Sequence, residues 1–188
     1  MRWKSTPDDW GWIAKFFHWT TAILIVAATA IVVYIVNQDF EHFREQSTLT
    51  FRAGIRWHKA LGFIAFALLV LRIVWRAAIV RPALPASMAG WEVAGSTATV
   101  HLLYLLIAAS IVTGWGQVSS NGSVANVFDW FVVPPLVGKD ERLHELFEFW
   151  HSSTSWGLVG LAAFHTLAAL KHHYVDRDGV LRAMLPWR

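Results

Sequence analysis

Residues 144–173 read HELFEFWHSSTSWGLVGLAAFHTLAALKHH, and within them His144, His151, His165 and His172 are separated by seven, fourteen and seven residues. Seven residues make nearly two turns of an α-helix, so the four imidazoles share one slowly drifting face. The interval from His151 to His165 corresponds to about 21 Å along a helix axis. The apolar run Phe149–Leu170 is long enough to cross a bilayer with some tilt. A membrane interior makes each ionisable side chain costly unless it has a partner or a task, so the nine histidines of the chain are its main functional clue.

Three more apolar segments precede this one: Ile13–Val36, His58–Val80 and Ala94–Val118. The 188-residue chain is 55% hydrophobic and 15% charged, and its mean hydropathy is +0.41. A soluble domain of this length needs a larger polar surface, which leaves a membrane protein. The length allows four crossings and no separate soluble domain, so the predicted fold is all-α: a transmembrane four-helix bundle forming one domain over residues 1–188. The second segment is the least clean, with Lys59 near one end and Arg72 and Arg76 toward the other; snorkelling or an internal anionic partner would accommodate the arginines. Twelve tryptophans, including Trp3, Trp10, Trp12, Trp19 and Trp187, fit a chain with many residues at the membrane–water boundary.

With no cysteine, disulfides, Cys-ligated zinc, iron–sulfur clusters and covalent c-type haem are excluded. Met1, Met88 and Met184 all fall outside the four segments, which disfavours methionine ligation of a metal. Asp8 and Asp9 interrupt any basic leader, so the first segment is expected to be a permanent helix. Lys and Arg residues number ten on the side of the termini and six on the other, placing both termini in the cytoplasm by the positive-inside rule and the segments 37–57 and 119–148 outside. Within the second of these, Val127–Val133 is too short to span and is expected to lie on the surface as an interfacial helix or lid, ended by Pro134 and Pro135.

Antiparallel neighbours supply partners for the fourth-segment histidines. His18 lies a turn or two inside the first segment, level with His165, and His58 opens the second, level with His151. Two imidazoles facing each other across a bundle suit the two axial positions of a haem iron. Hydrogen-bonded core imidazoles or a proton path are the alternatives. Gly62, Gly114, Gly116, Gly157 and Gly160 would give room to a macrocycle, and tight helix packing explains them as well. Arg72 follows His58 by fourteen residues, where it would meet a haem propionate or snorkel. Arg52, Arg56 and Lys59 follow an i, i+4, i+7 pattern and form a basic stripe, for propionates, for steering an anion, or as a solvated face. His101 and His172, both at the cytoplasmic side, would hydrogen-bond a quinone headgroup and relay its protons, or stand at the interface without a ligand. His42, in a charged loop, is expected to be solvent exposed.

The chain resembles the bacterial cytochrome b561 family of four-helix diheme membrane cytochromes, related to the cytochrome b subunit of nickel–iron hydrogenases. The carriers are Phe17-His18-Trp19, His58-Lys59-Ala60-Leu61-Gly62 with Arg72, His101 with Tyr104-Leu105-Leu106 and Gly114, Trp150-His151, His165, Lys171-His172-His173-Tyr174 and the closing run from Arg177 to Pro186. The resemblance implies two non-covalent b haems with His18, His58, His151 and His165 as iron ligands, and electron exchange with ubiquinone. For some members it implies oxidation of superoxide at the outer face of the inner membrane. His101 lies three residues before Tyr104, whereas close relatives are expected to have four.

The expected function is electron transfer between the periplasmic face of a bacterial inner membrane and the quinone pool, as a superoxide:ubiquinone oxidoreductase or as a cytochrome without a catalytic reaction of its own. A carrier subunit docked to a periplasmic redox protein and a haem-free transporter are the rivals. Membrane lipid is the expected surrounding, and no nucleic-acid partner is expected.

Overall fold

The computed structural model describes residues 2–38, 49–128 and 130–186; for residues 38, 49 and 50 it describes only the backbone. His42, Arg44 and Trp187 lie outside the described residues. The elements are α1 (Trp12–Gln38), α2 (Leu49–Ala77), α3 (Gly90–Ser120), β1 (Ala125–Val127), β2 (Phe131–Val133), α4 (Glu141–Tyr174) and α5 (Val180–Met184). The fold class is all-α and transmembrane. By length and composition α1, α2 and α3 can each cross a membrane.

Each long helix outruns its apolar segment where a polar extension continues it. α2 starts nine residues before His58, because hydropathy marks the stretch that suits hydrocarbon while helical hydrogen bonds extend through polar residues as well. It stops at Ala77, ahead of Pro82 and Pro85, neither of which can donate a backbone hydrogen bond to prolong it. α3 opens with a reciprocal pair: the Glu92 carboxylate accepts the Ala89 N–H at 3.0 Å, and the Glu92 N–H donates to the Ala89 carbonyl at 2.9 Å. α4 is capped by Asp140, whose Oδ1 accepts the Leu143 N–H at 2.9 Å, with Glu141 in the first turn where the helix dipole favours an acid.

The chain divides into two compact units. The first comprises Met1–Trp19, Leu69–Ser110 and Ser152–Arg188, and so draws on the start of α1, the end of α2, most of α3 and α4, and α5. Leu69, Ile107 and Leu158 are its buried aliphatic side chains. Val74, Leu105, Phe164 and Leu167 are exposed, as expected of side chains that face lipid. The one buried lysine of this unit among the described residues, Lys15, is 3.3 Å from Asp9, which offsets its charge. The Trp19 indole N–H donates to the Met184 carbonyl at 2.8 Å and ties α5 to α1.

The second unit comprises Thr20–Leu68 and Ile111–His151. Its core holds Ile35, Ala60, Ala65, Ala125 and Val133, while Ile23 and Val26 are exposed. Here the structure departs from the interfacial helix or lid expected around Val127–Val133. β1 and β2 form a two-stranded antiparallel hairpin, with Ala125 opposite Val133 and Val127 opposite Phe131. The β-branched Val127, Val132 and Val133 favour extended backbone, and Phe128 makes the turn at φ 50°. The Phe128 ring meets Trp57 edge-on at 4.8 Å. The return to α3 is fixed by the Trp115 indole N–H on the Pro134 carbonyl at 2.9 Å and by the Leu136 N–H on the Ser119 hydroxyl at 3.0 Å.

Candidate functional site

Each unit holds one pair of facing imidazoles. In the first, His18 on α1 and His165 on α4 have ring centroids 6.3 Å apart with planes at 64°. In the second, His58 on α2 and His151 on α4 are 6.0 Å apart at 76°. A metal held between two imidazole nitrogens at about 2 Å each sets the ring centroids about 6 Å apart, so both pairs have the spacing of a bis-histidine axis. Neutral nitrogen donors in an apolar, cysteine-free surrounding suit a haem iron, and the donor set fits haem b.

The two pairs are supported differently. His58 Nδ1–H donates to the Ala28 carbonyl of α1 at 3.0 Å, which leaves the Nε2 lone pair free for a metal and fixes the ring about that bond. Its partner His151 lies against α3 at Gly114: a Cβ there would come within 2.9 Å of ring atoms Cε1 and Nδ1. Only a residue without a side chain lets the imidazole approach this backbone. Gly116 has the same relation to the ring of Phe147, a packing role rather than room for a macrocycle, whereas Gly62 has open space around its Cβ position.

In the first unit Arg72 reaches His18, with Nη2 3.1 Å from Nδ1. Its guanidinium also lies over the Tyr104 ring at 5.2 Å, and that of Arg76, one turn on, lies over the same ring at 5.9 Å. The fourteen-residue interval placed Arg72 toward the bundle, and its neighbour there is an imidazole. Gly157 meets Leu106 at ordinary contact distance, and Gly160 has open space.

The other sequence candidates are dispersed. Arg52 and Arg56 are exposed and Lys59 is half-buried, all on one face of α2. His101 is exposed, and its Nδ1–H donates to the Thr97 carbonyl one turn back in α3. His172, in the last turn of α4, has Nδ1 2.7 Å from Asp178 Oδ2 and 3.1 Å from Asp176 Oδ2. Among the described residues no hydrogen bond or ring contact joins His101 to His172. Beside them Lys171 bridges Glu92 of α3 at 2.8 Å and Asp176 at 2.9 Å. These carboxylates, Glu92 first, hold the Lys171 ammonium above the ordinary lysine range.

Sequence reasoning missed three members of these sites. The Ala28 carbonyl has no side-chain signature at all. Tyr104 stands in a motif whose sequence does not mark it as the ring beneath two guanidiniums. Asp178 stands six residues beyond His172, past the helix end, where helical periodicity says nothing about proximity.

The family described as prokaryotic cytochrome b561 matches residues 9–187. The chain is 29% identical over 185 residues to cytochrome b561 homolog 2 of Escherichia coli (strain K12), an alignment covering 98% of this chain and 95% of that protein. It is 24% identical over 175 residues to cytochrome b561 homolog 1 of the same organism, covering 92% and 94%.

Proposed function

The chain belongs to the prokaryotic cytochrome b561 family, and on that premise we propose that His18 with His165, and His58 with His151, are the axial ligands of two b haems. A multi-pass bacterial membrane cytochrome of b type, it transfers electrons. The finer reading is that they pass between the outer, periplasmic face of the inner membrane and the quinone pool, with superoxide as donor and ubiquinone as acceptor, both termini being cytoplasmic. Bound haem supplies one-electron oxidation and reduction at its iron.

The remaining work belongs to the chain. His58 is held in its ligating tautomer by Ala28, and Gly114 admits His151 to its place beside α3. Arg72 carries a positive charge next to the His18 pair, and the Arg52, Arg56 and Lys59 stripe would attract an anionic donor. His101 and His172, each with Nδ1 already bonded, keep Nε2 for a quinone oxygen.

The observation that carries this reading is the presence of two imidazole pairs, each at the centroid spacing of a metal axis. The test is the reduced-minus-oxidised optical spectrum of the purified protein with haem counted per chain, repeated for His18→Ala and His151→Ala. Two b haems in the parent and one in each variant are expected. A colourless parent, or variants that keep all their haem, would overturn the assignment.

A second reading has its own observation. Trp130 at the hairpin turn is 89% exposed, and Phe131 and Val132 beside it are also exposed. A periplasmic redox protein docked there would make the chain a carrier subunit. Copurification of such a partner, with no reaction toward superoxide, is the result that favours it.

A further inference from the structure

After α4 the chain turns back on the helix end. The Asp178 N–H donates to the His172 carbonyl at 3.1 Å, and Asp178 Oδ1 accepts the Val180 N–H at 3.0 Å, so backbone bonds fix the carboxylate on both sides. The reversal passes through Arg177 at φ 54°. The remaining oxygen, Oδ2, lies 2.7 Å from His172 Nδ1, and both side chains are largely buried, 8% and 12% exposed. An ionised carboxylate only accepts hydrogen bonds, so the proton of this contact sits on Nδ1 and the exchanging nitrogen of the ring is Nε2. A buried aspartate orients a proton-transferring imidazole in this way in serine hydrolases.

His172, Asp176 and Asp178 bring their ligand atoms within 4.8 Å of one another, a spacing that also suits a divalent cation. The cluster already holds a cation: the Lys171 ammonium spans Asp176 and Glu92. That occupancy favours a proton-handling role over a metal site.

We propose that Asp178 is a positioning residue for His172, which exchanges a proton with the quinone; the proposal rests on the reading above that quinone reacts near His101 and His172. Reduction of a quinone to its quinol takes two electrons, which bound haem would supply one at a time, and two protons. One of these leaves Nε2 of the protonated His172 for a quinone carbonyl oxygen. The N–H bond breaks, an O–H bond forms, and the neutral ring keeps its Nδ1 proton on Asp178. Water then returns a proton to Nε2, and a second transfer of the same kind supplies the second proton. The charged groups around this imidazole come from three elements: Asp176 and Asp178 on the turn, Glu92 on α3 and Lys171 on α4.

The test uses the full-length, haem-loaded protein in stopped flow. The haem is reduced and then reoxidised either by a short-chain ubiquinone or by ferricyanide, which takes an electron without a proton. Asp178→Asn is expected to keep the haem content and spectrum, to slow quinone reoxidation by about tenfold or more, and to leave the ferricyanide rate unchanged. Asp178→Glu should restore part of the quinone rate. Parent-like quinone kinetics in Asp178→Asn across the pH range would overturn the positioning role alone. A parent reoxidised by ferricyanide and not by quinone would overturn the quinone reading and this proposal with it. Should Asp178→Asn lose its haem, His172→Gln carries the same comparison, and a parent-like quinone rate there also overturns the proposal. Loss of the quinone rate on dialysis against EDTA would place a metal in the cluster instead.

Discussion

Arg72 donates a hydrogen bond from Nη2 to Nδ1 of His18 over 3.1 Å. A guanidinium has no acceptor, so Nδ1 contributes its lone pair and the neutral ring carries its proton on Nε2. His58 has the opposite polarity, giving its Nδ1 proton to Ala28 and keeping Nε2 open. Ligation of iron through Nε2 of His18 would therefore be incompatible with this bond, and a haem held by the first pair would free the Arg72 guanidinium for an anionic group such as a propionate.

The charge of Arg72 should then be felt in one redox centre and not in the other. A fixed cation favours the reduced, less positive iron, so Arg72→Ala lowers the midpoint potential of the haem at His18 and His165. The expected shift is on the order of 60 mV, the one-electron equivalent of a tenfold change in equilibrium. Arg72→Lys, which keeps the charge, should retain most of it. An optical redox titration that resolves two components reads this directly; equal shifts in both components would deny Arg72 a local role.

The glycine at 114 makes a separable prediction. In Gly114→Ala the new methyl would meet the His151 ring at 2.9 Å, so the imidazole or the helix must move. The cost is about 1–3 kcal/mol of overpacking, together with weakened haem retention at His58 and His151. Gly62→Ala meets no protein atom within 4 Å and, in a helix interior, should raise the stability of the haem-free protein by up to about 1 kcal/mol. Haem loss in Gly62→Ala without any loss of that stability would place the macrocycle in the open space beside residue 62. Thermal unfolding with and without haem, followed beside haem counts, separates these cases.

The ring pairs were legible because one helix carries histidines at multiples of seven, and because His18 and His58 lie at matching depths in the other apolar segments. Periodicity within a helix is a strong signal, since it follows from fixed backbone geometry. What lay outside that signal stayed hidden. A backbone carbonyl such as that of Ala28 looks like any other residue in sequence. The side-chain bond from Arg72 to His18 depends on the rotation of two helices, which a shared depth does not determine. The hairpin is hidden in the sequence because the aromatic and aliphatic residues around Trp130 suit a membrane surface as a helix or lid equally well. The deciding features were β-branched Val127, Val132 and Val133 and the left-handed turn at Phe128. Asp178 belongs to a chain reversal after a helix end, where spacing along the sequence has no bearing on which side chain it meets.

The closing helix is held to the first by a bond that can be removed with little change of shape. Trp19→Phe deletes the indole donor and leaves the Met184 carbonyl without its 2.8 Å partner. A loss of about 1 kcal/mol is expected, near the net value of one hydrogen bond. The effect should concentrate in α5, so faster proteolysis of the tail with the haem spectrum unchanged is the expected signature. A variant whose tail resists protease as the parent does would show that packing of the aromatic ring, and not the hydrogen bond, secures α5.

The basic stripe on α2 offers the sharpest discrimination between a superoxide donor and a protein donor. Arg52, Arg56 and Lys59 lie on one helical face, but segments 37–57 and 119–148 together carry five basic and eight acidic residues, so attraction of a small anion is local. Screening shortens such a field to about 10 Å at 0.1 M salt. The double variant Arg52→Gln with Arg56→Gln should therefore lower the rate with superoxide by about 3- to 10-fold at low ionic strength. The difference should shrink as salt rises, and the spectrum and haem content should stay as in the parent. A deficit that persists unchanged at high salt would mean the arginines act by contact rather than by long-range attraction. No deficit at any salt would remove the stripe from the donor path and shift weight to the exposed hairpin around Trp130 as the point of electron entry.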